Sequence, residues 1–164
     1  MHYRLAEEKD IGSIMHLVAS AVAELENRGI LQWDDLYPAE EVFLSDIRNG
    51  WLYAGMQDTD IAVIYAVSRE CDEQYANGNW KYPGSEYRVL HRLCVDPRFQ
   101  NRGVAKETLR HIEEELRENG VETVRLDVFC NNPYALALYR RSGYEQVGTA
   151  LWRKGTFYLM EKHL

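Results

Sequence analysis

Gln100-Asn101-Arg102-Gly103-Val104-Ala105 is the stretch that decides the fold of this 164-residue chain. An alternating apolar segment, Tyr87 to Val95, precedes it, and a helical pattern with Leu109, Ile112 and Leu116 on one face follows it. The first N–H groups of a helix have no backbone partner and lie at the positive end of the helix dipole. Glycine lets the backbone approach an anion closely, and arginine adds a forked positive charge. The stretch therefore predicts a phosphate-binding turn between a strand and a helix.

A second stretch follows after one predicted helix and one predicted strand. It reads Asn132-Pro133-Tyr134-Ala135-Leu136-Ala137-Leu138-Tyr139-Arg140-Arg141-Ser142-Gly143-Tyr144. Its asparagine can cap a helix, its proline suits the first helical turn, and its glycine suits a left-handed stop. The first stretch has neither the P-loop pattern nor the dinucleotide-binding glycine pattern.

Both stretches resemble signatures of the GCN5-related N-acetyltransferase (GNAT) superfamily. The first is similar to [Gln/Arg]-x-x-Gly-x-[Gly/Ala] through Gln100, Gly103 and Ala105. The second is similar to Asn-x-x-Ala-x-x-Leu-Tyr-x-x-x-Gly-[Phe/Tyr] at every fixed position. The resemblance is sharpest from about Tyr87 to Tyr144. It implies an N-acetyltransferase that uses acetyl-CoA as co-substrate and transfers the acetyl group directly to a primary amine.

The element order β-α-α-β-β-β-α-β-α-β-β predicts an α+β fold in one domain spanning residues 1–164. The resemblance implies the three-layer GNAT fold, with a mixed, mostly antiparallel sheet flanked by helices and splayed at the strand before the pyrophosphate loop. Asp10 is predicted to cap the first helix, which Gly29 ends.

The resemblance also implies residue roles. Tyr139 matches the tyrosine that acts as general acid toward the departing thiolate, although a helical aromatic can also serve only in packing. Main-chain groups of the splayed strand would pair with the pantetheine amides, and the loop would hold the pyrophosphate. The implied coenzyme-binding residues are Leu93, Cys94, Val95, Gln100, Asn101, Arg102, Gly103, Val104, Ala105, Lys106, Asn132 and Ala135.

The general base is left open by the sequence. His91 lies on the strand that enters the splayed region, and imidazole titrates in a suitable range. It shares a face with Val89 and Leu93, so a buried, hydrogen-bonded histidine is an equal interpretation. Glu86, Asp127 and a water chain are alternatives.

The acceptor site is predicted from Trp33, Asp35 and Tyr37, because aromatic faces and carboxylates can hold an ammonium group. The alternative is that these rings pack two helices together. The segment Glu70–Ser85 is long and contains glycine, so it is predicted to act as a lid over a small primary amine. Two other functions stay open: acetylation of a protein or peptide amine, and a non-catalytic acyl-CoA sensor.

Composition limits the partners. The formal net charge of −7 argues against sequence-independent nucleic-acid binding. No apolar run approaches transmembrane length, so no membrane partner is expected. The three cysteines show no paired spacing and no metal pattern, which predicts free thiols, no metal cofactor and a cytoplasmic location. Relatives often dimerise, so a homodimer stays open as an oligomeric state.

Overall fold

The computed structural model describes residues 1–164. Four helices flank one mixed sheet of seven strands in the order β1-β2-β3-β4-β5-β7-β6. The strands are β1 His2–Leu5, β2 Leu52–Gln57, β3 Asp60–Ser68, β4 Tyr87–Val95, β5 Thr123–Phe129, β6 Glu145–Trp152 and β7 Gly155–His163. The helices are α1 Ile11–Asn27, α2 Glu40–Arg48, α3 Val104–Glu118 and α4 Pro133–Arg141.

The sheet confirms the predicted α+β class and the predicted splay. β1 with β2, β2 with β3, β5 with β7, and β6 with β7 are antiparallel pairs. β4 and β5 are parallel and pair only from Tyr87–Val89 to Thr123–Arg125, although both strands continue further. On its other edge, β5 pairs with β7 along its whole length. The pairing of β4 with β5 therefore ends at Val89, six residues before β4 itself ends at Val95.

The chain divides into two compact units. The first contains residues 1–67 and 92–108. Its core is built around the inner face of α1, where Ile14 and Leu17 are almost fully buried. Burying each of these side chains contributes about 1.5–3 kcal/mol. Phe43 of α2 and Leu52 of β2 complete the same cluster.

The second unit contains residues 68–91 and 109–164. One of its apolar clusters joins Val89 of β4, Leu159 of β7 and Val147 of β6 to Tyr75 from the long segment before β4. The aromatic rings of Trp80, Tyr87 and Trp152 pack against this cluster.

One predicted helix cap is wrong. Asp10 makes no side-chain hydrogen bond to the first turn of α1. Its carboxylate instead accepts two hydrogen bonds from Arg4, at 2.7 and 3.0 Å, and one from the N–H of Glu7 at 2.8 Å. A short 3₁₀ turn, Glu8–Asp10, precedes α1 and places Asp10 inside helical backbone, where its side chain cannot cap the helix. The Arg4 hydrogen bonds lower the pKa of Asp10.

Candidate active site

The turn between β4 and α3 presents a row of backbone N–H groups that the protein itself does not use. None of the amides from Asn101 to Lys106 donates a hydrogen bond to another protein group, and the next amide, that of Glu107, donates to Gly103 O at 2.9 Å. Asn101 and Gly103 both have positive φ, +60° and +82°. The space beside the Gly103 Cα is open, with no atom within 4 Å of the position a Cβ would take. A row of free, outward amides at a helix start suits a phosphate anion.

Side chains of the same turn fix its shape and add positive charge. Gln100 Nε2 donates to Val95 O at 3.2 Å, which folds the turn back onto the end of β4. The guanidinium of Arg102 lies 6.0 Å from the Phe99 ring centroid. Arg102 and Lys106 are exposed, so both cations can reach an anion held by the free amides.

Arg92 interrupts the middle of β4 in a way that the sequence patterns did not predict. Its φ of +52° is unusual for a non-glycine residue within a strand. Its guanidinium donates from Nε to Asp46 Oδ2 at 2.9 Å and from Nη1 to Tyr37 Oη at 3.2 Å. Asp46 is only 4% exposed, and this burial raises the pKa of its carboxyl despite the opposing charge of Arg92. The irregular strand residue thus connects β4 to α2 and to the predicted acceptor segment.

The three predicted coenzyme residues of β4 follow directly after Arg92. Leu93 and Val95 are half-buried, and Cys94 belongs to the core of the first unit. Burial raises the pKa of the Cys94 thiol to about 12. Such a thiol stays protonated near neutral pH and is a poor nucleophile. The Cys94 side chain is therefore unsuited to a role at the site, and the predicted pantetheine contacts of this residue are limited to its main-chain groups.

The predicted acceptor residues differ in their accessibility. Trp33 is 9% exposed and belongs to the core of the first unit, so packing is its main role and only a small part of its surface can meet a ligand. Asp35 is exposed, and Tyr37 is 43% exposed with its hydroxyl bonded to Arg92. The turn between them is held by Asp34, whose Oδ1 accepts the N–H groups of Leu36 and Tyr37 at 3.0 and 3.2 Å.

Tyr139 is a buried phenol without a hydrogen bond. It lies on the inner face of α4, is 8% exposed, and packs edge-to-face against Tyr144. No protein group accepts a hydrogen bond from its hydroxyl or donates one to it. Burial, followed by the charge of Asp127, raises its pKa well above the ordinary value. The phenol is therefore neutral under physiological conditions and can donate a hydrogen bond to a ligand.

Asp127 is the ionisable group whose charge acts on the pKa of Tyr139. It lies on β5, and its Oδ2 accepts a 2.7 Å hydrogen bond from Tyr75 Oη. Tyr75 is 4% exposed, and burial with the neighbouring Asp127 charge raises its pKa far above the ordinary value. The Tyr75 proton therefore stays in place and orients the Asp127 carboxylate. From the sequence alone, Asp127 was only one of several alternative bases.

The start of α4 is built as the sequence predicts. Asn132 is buried, and its Oδ1 accepts the N–H of Ala135 at 3.1 Å, while Pro133 occupies the first turn. The side-chain oxygen Oδ1 of Asn132 and the main-chain N–H of Ala135 are thus both used in the helix cap. The contacts of Asn132 and Ala135 with the coenzyme stay a prediction. Only the atoms of these residues that the cap does not use are available for such contacts.

His91 is held by backbone on the neighbouring segment. Its Nε2 lies 2.9 Å from Glu70 O and 3.4 Å from Ser68 Oγ. To donate to the carbonyl oxygen, Nε2 must carry the proton, which leaves Nδ1 as the basic nitrogen of the neutral ring. Glu86 pairs with Arg88 and Arg69, and its pKa is lowered mainly by the Arg88 hydrogen bond. Glu86 is therefore the weaker base of the two.

The structure contradicts the predicted lid. The segment Glu70–Ser85 contains a 3₁₀ turn, Glu73–Asn77, and is fastened to the sheet of its own unit. Trp80 stacks on Tyr75 and donates from Nε1 to Tyr75 O at 2.8 Å, and Asn79 N–H donates to Val147 O at 2.8 Å. A polar, glycine-containing sequence resembled a mobile loop, but the buried ring of Tyr75 and the half-buried ring of Trp80 anchor it, while Tyr82 is exposed.

Cys71, Cys94 and Cys130 are all free thiols. No group of three or more His, Cys, Asp or Glu side chains is placed to hold a metal ion. No helix has the length and apolar character needed to cross a bilayer.

Comparison with known proteins gives a consistent result. Residues 22–144 match the sequence model of the acetyltransferase (GNAT) family. The chain is 34% identical over 145 residues to the N-alpha-acetyltransferase RimI of Mycobacterium tuberculosis, covering 87% of this chain and 82% of that protein. It is 25% identical over 159 residues to the uncharacterized N-acetyltransferase YesJ of Bacillus subtilis, covering 95% and 86%. A crystal structure of a GNAT-family acetyltransferase from Streptococcus agalactiae superposes with a TM-score of 0.87 at 26% identity, covering 99% of this chain and 95% of that one.

Proposed function

Because the chain belongs to the GNAT acetyltransferase family, we propose that it transfers the acetyl group of acetyl-CoA directly to a primary amine, as one acetyltransferase domain spanning residues 1–164. The observation that carries the proposal is the row of free amides from Asn101 to Lys106. Six consecutive N–H groups without a protein acceptor are costly unless water or a ligand satisfies them. The pyrophosphate of coenzyme A is a ligand of the required charge and size.

The donor side of the proposal uses the turn and the strand before it. The amides of Asn101–Lys106 hold the pyrophosphate, and Arg102 and Lys106 neutralise part of its charge. Main-chain groups of Leu93, Cys94 and Val95 pair with the pantetheine amides. A backbone N–H there polarises the thioester carbonyl, an effect of about 2.7–4 kcal/mol where one such donor has been removed in other enzymes.

The reaction requires a neutral amine and a stabilised thiolate. The amine nitrogen attacks the thioester carbonyl carbon, the carbonyl electrons move onto oxygen, and their return expels the thiolate. Tyr139 donates its hydrogen bond to that sulfur. A phenol with an ordinary pKa of about 10 is already a weaker acid than a thiol near 8.5, and burial weakens it further. Tyr139 therefore stabilises the thiolate mainly by hydrogen bonding. The nitrogen loses one proton after its attack, and transfer of that proton to the thiolate gives the amide and the free thiol of coenzyme A.

We assign Asp127 the task of attracting the acceptor's ammonium group. Its carboxylate acts electrostatically on Tyr139 and is oriented by Tyr75. His91, through Nδ1, is the alternative base that the sequence predicted. The proton that the ammonium group loses can pass to either residue, directly or through water.

Two features of the structure disfavour an enclosed site for a small acceptor: the segment Glu70–Ser85 is anchored to the sheet, and Trp33 is largely in the core. Leu31 and Leu36 are 56% and 72% exposed on the acceptor segment, beside exposed Tyr37. Exposed apolar side chains are common where a protein surface binds a protein partner. Together with the similarity to an N-alpha-acetyltransferase, this favours the α-amine of a peptide. A small primary amine remains the second candidate, supported by the exposed Asp35 and Tyr37.

The experiment compares acceptors under one donor concentration. Free thiol release from acetyl-CoA is measured with short peptides bearing a free α-amine, with the same peptides N-terminally blocked, and with small diamines and amino acids. Saturable turnover of the free peptides alone supports the peptide α-amine. Turnover of small amines with inert peptides would reverse the order of the two candidates. Binding of coenzyme A without turnover of any amine would instead favour an acyl-CoA sensor.

A cytoplasmic location is part of the proposal and is supported by the three free thiols, which suit a reducing compartment. For the oligomeric state, we keep a homodimer as an alternative to the monomer. Sedimentation at micromolar concentration distinguishes the two states.

A further inference from the structure

The end of α4 forms a Schellman motif around Tyr139. Gly143 adopts φ +89°. The N–H of Tyr144 donates to Tyr139 O at 3.0 Å, and the N–H of Gly143 donates to Arg140 O at 3.1 Å. These are the two backbone hydrogen bonds that define the motif, and a side-chain contact between its outer positions often accompanies them. Here those positions are Tyr139 and Tyr144, whose ring centroids lie 5.6 Å apart at an interplanar angle of 66°.

The position of the Tyr139 hydroxyl depends on packing alone. A second buried tyrosine of the same unit, Tyr75, has its hydroxyl fixed by a 2.7 Å hydrogen bond to Asp127. Tyr139 has no comparable bond, so the direction of its phenol follows from the surfaces against its ring. Tyr144 supplies the aromatic surface.

Tyr144 is in turn braced by a charged pair from two other elements. It is 3% exposed, and Lys162 Nζ of β7 lies 5.7 Å from its ring centroid. Lys162 Nζ is bonded to Glu113 Oε2 of α3 at 2.6 Å. The Tyr144 hydroxyl and Glu113 Oε1 are both buried without a hydrogen-bond partner. Burial and the Glu113 charge raise the pKa of Tyr144, so it remains neutral beside this carboxylate.

We propose that Tyr144 is a positioning residue for Tyr139: the helix stop at Gly143–Tyr144, braced by Lys162 and Glu113, sets the direction in which the Tyr139 phenol points. The proposal rests on the role of Tyr139 proposed above. It assigns a role in positioning Tyr139 to Gly143 and Tyr144, the glycine and the aromatic residue at the end of the second sequence signature. The same short motif ends the helix and holds the acid in place.

The test is a double-mutant cycle in kcat, measured with saturating acceptor and acetyl-CoA. Tyr144→Leu removes the ring and is expected to lower kcat about tenfold, within the range that misplacement of a catalytic group can cause. The KM for acetyl-CoA should change by less than about twofold, because the interaction is lost in the transition state only. Tyr144→Phe keeps the ring and should restore kcat. In a Tyr139→Phe background, Tyr144→Leu should change kcat by less than about twofold.

Two further variants keep the test decisive. Val147→Ala, in the apolar cluster of the same unit, is a control for general loss of packing and should leave kcat near wild type. Lys162→Met removes the brace while keeping the Tyr144 ring, and serves if Tyr144→Leu does not fold. Its smaller loss of kcat should also vanish in the Tyr139→Phe background.

The outcomes separate this proposal from the proposed function. If Tyr139→Phe alone leaves kcat unchanged, the acid role itself fails. If Tyr139→Phe lowers kcat but Tyr144→Leu costs the same factor in both backgrounds, the positioning role is overturned while the acid role stands. An equal loss of kcat in Val147→Ala would likewise overturn the positioning role.

Discussion

Replacement of Gly103 by valine should abolish tight binding of acetyl-CoA while leaving the protein folded. The residue has φ +82°, and the space beside its Cα is open to solvent. A β-branched residue is strained in this left-handed region, at a cost of about 1–2 kcal/mol. For a domain of this size that corresponds to a decrease in Tm of about 2–8 °C. The Cβ of the new side chain meets no protein atom within 4 Å, so backbone strain is the expected cost to folding.

The cost to binding is larger, because the side chain projects from the middle of the row of free amides. Each hydrogen bond to a charged phosphate contributes about 1.5–3 kcal/mol. If the valine displaces the pyrophosphate from two amides, the loss is about 3–6 kcal/mol, which raises Kd by about 10²–10⁴-fold. Isothermal titration calorimetry with coenzyme A measures this directly, and circular dichroism confirms the fold.

Gly120→Val is the matched control. Gly120 follows the other end of α3, has φ +78°, and likewise has no atom within 4 Å of a Cβ position. It should lose a similar amount of stability with unchanged affinity for coenzyme A. The reasoning is refuted if folded Gly103→Val binds coenzyme A as wild type does. An equal loss of affinity in Gly120→Val would refute it too, since strain alone would then explain the effect.

Four other predictions are open to measurement. Tyr139→Phe should lower kcat by about one to three orders of magnitude with little change in the KM for acetyl-CoA. Because the pKa of the Tyr139 phenol is raised, ionisation of this phenol should cause no decrease in wild-type kcat up to about pH 10. A decrease in kcat below that pH that Tyr139→Phe removes would contradict this. Asp127→Asn should lower kcat/KM for a cationic acceptor more than coenzyme affinity, and an unchanged kcat/KM would exclude the assigned role. Changing all three cysteines to alanine should leave turnover through a ternary complex, whereas an acetyl group trapped on any native thiol would overturn direct attack. Asp10→Asn should cost about 1–3 kcal/mol at pH 7; the folded pKa of Asp10 lies below its unfolded value, so its contribution is present above about pH 4 and is lost as pH falls through the folded pKa. Urea unfolding should show the difference from wild type shrinking toward acid pH, and a difference that stays constant down to acid pH would contradict the assignment.

Local signals predicted the ends of the elements well where the cause is local. The cap at Asn132 and the left-handed stop at Gly143 were both confirmed, because each depends on only a few neighbouring residues. The prediction that Asp10 caps α1 was wrong because the cause is not local. Its carboxylate is buried and bonded to Arg4, a partner on β1 that a cap rule does not consider.

The acceptor side shows the same division. Trp33 and the segment Glu70–Ser85 have the composition of a binding site and a lid. The burial of Trp33 and of Tyr75, which anchors the segment, depends on distant strands and helices, and no local pattern predicts it. Arg92 was missed because nothing in its sequence neighbourhood distinguishes a regular strand residue from one with φ +52°.

The sequence by itself determined the family, the strand–turn–helix to which we assign donor binding, and the helix that carries Tyr139. These follow from spacing, glycine conformation and helix capping, which act over a few residues. Only the tertiary structure decided which of the candidate ionisable groups are paired, buried or connected to Tyr139. Asp127 is oriented by Tyr75, 52 residues away, and Tyr144 is braced by a pair 49 residues apart. The pKa of a group and the direction of its side chain depend on what surrounds it in space, and long-range packing alone supplies those surroundings.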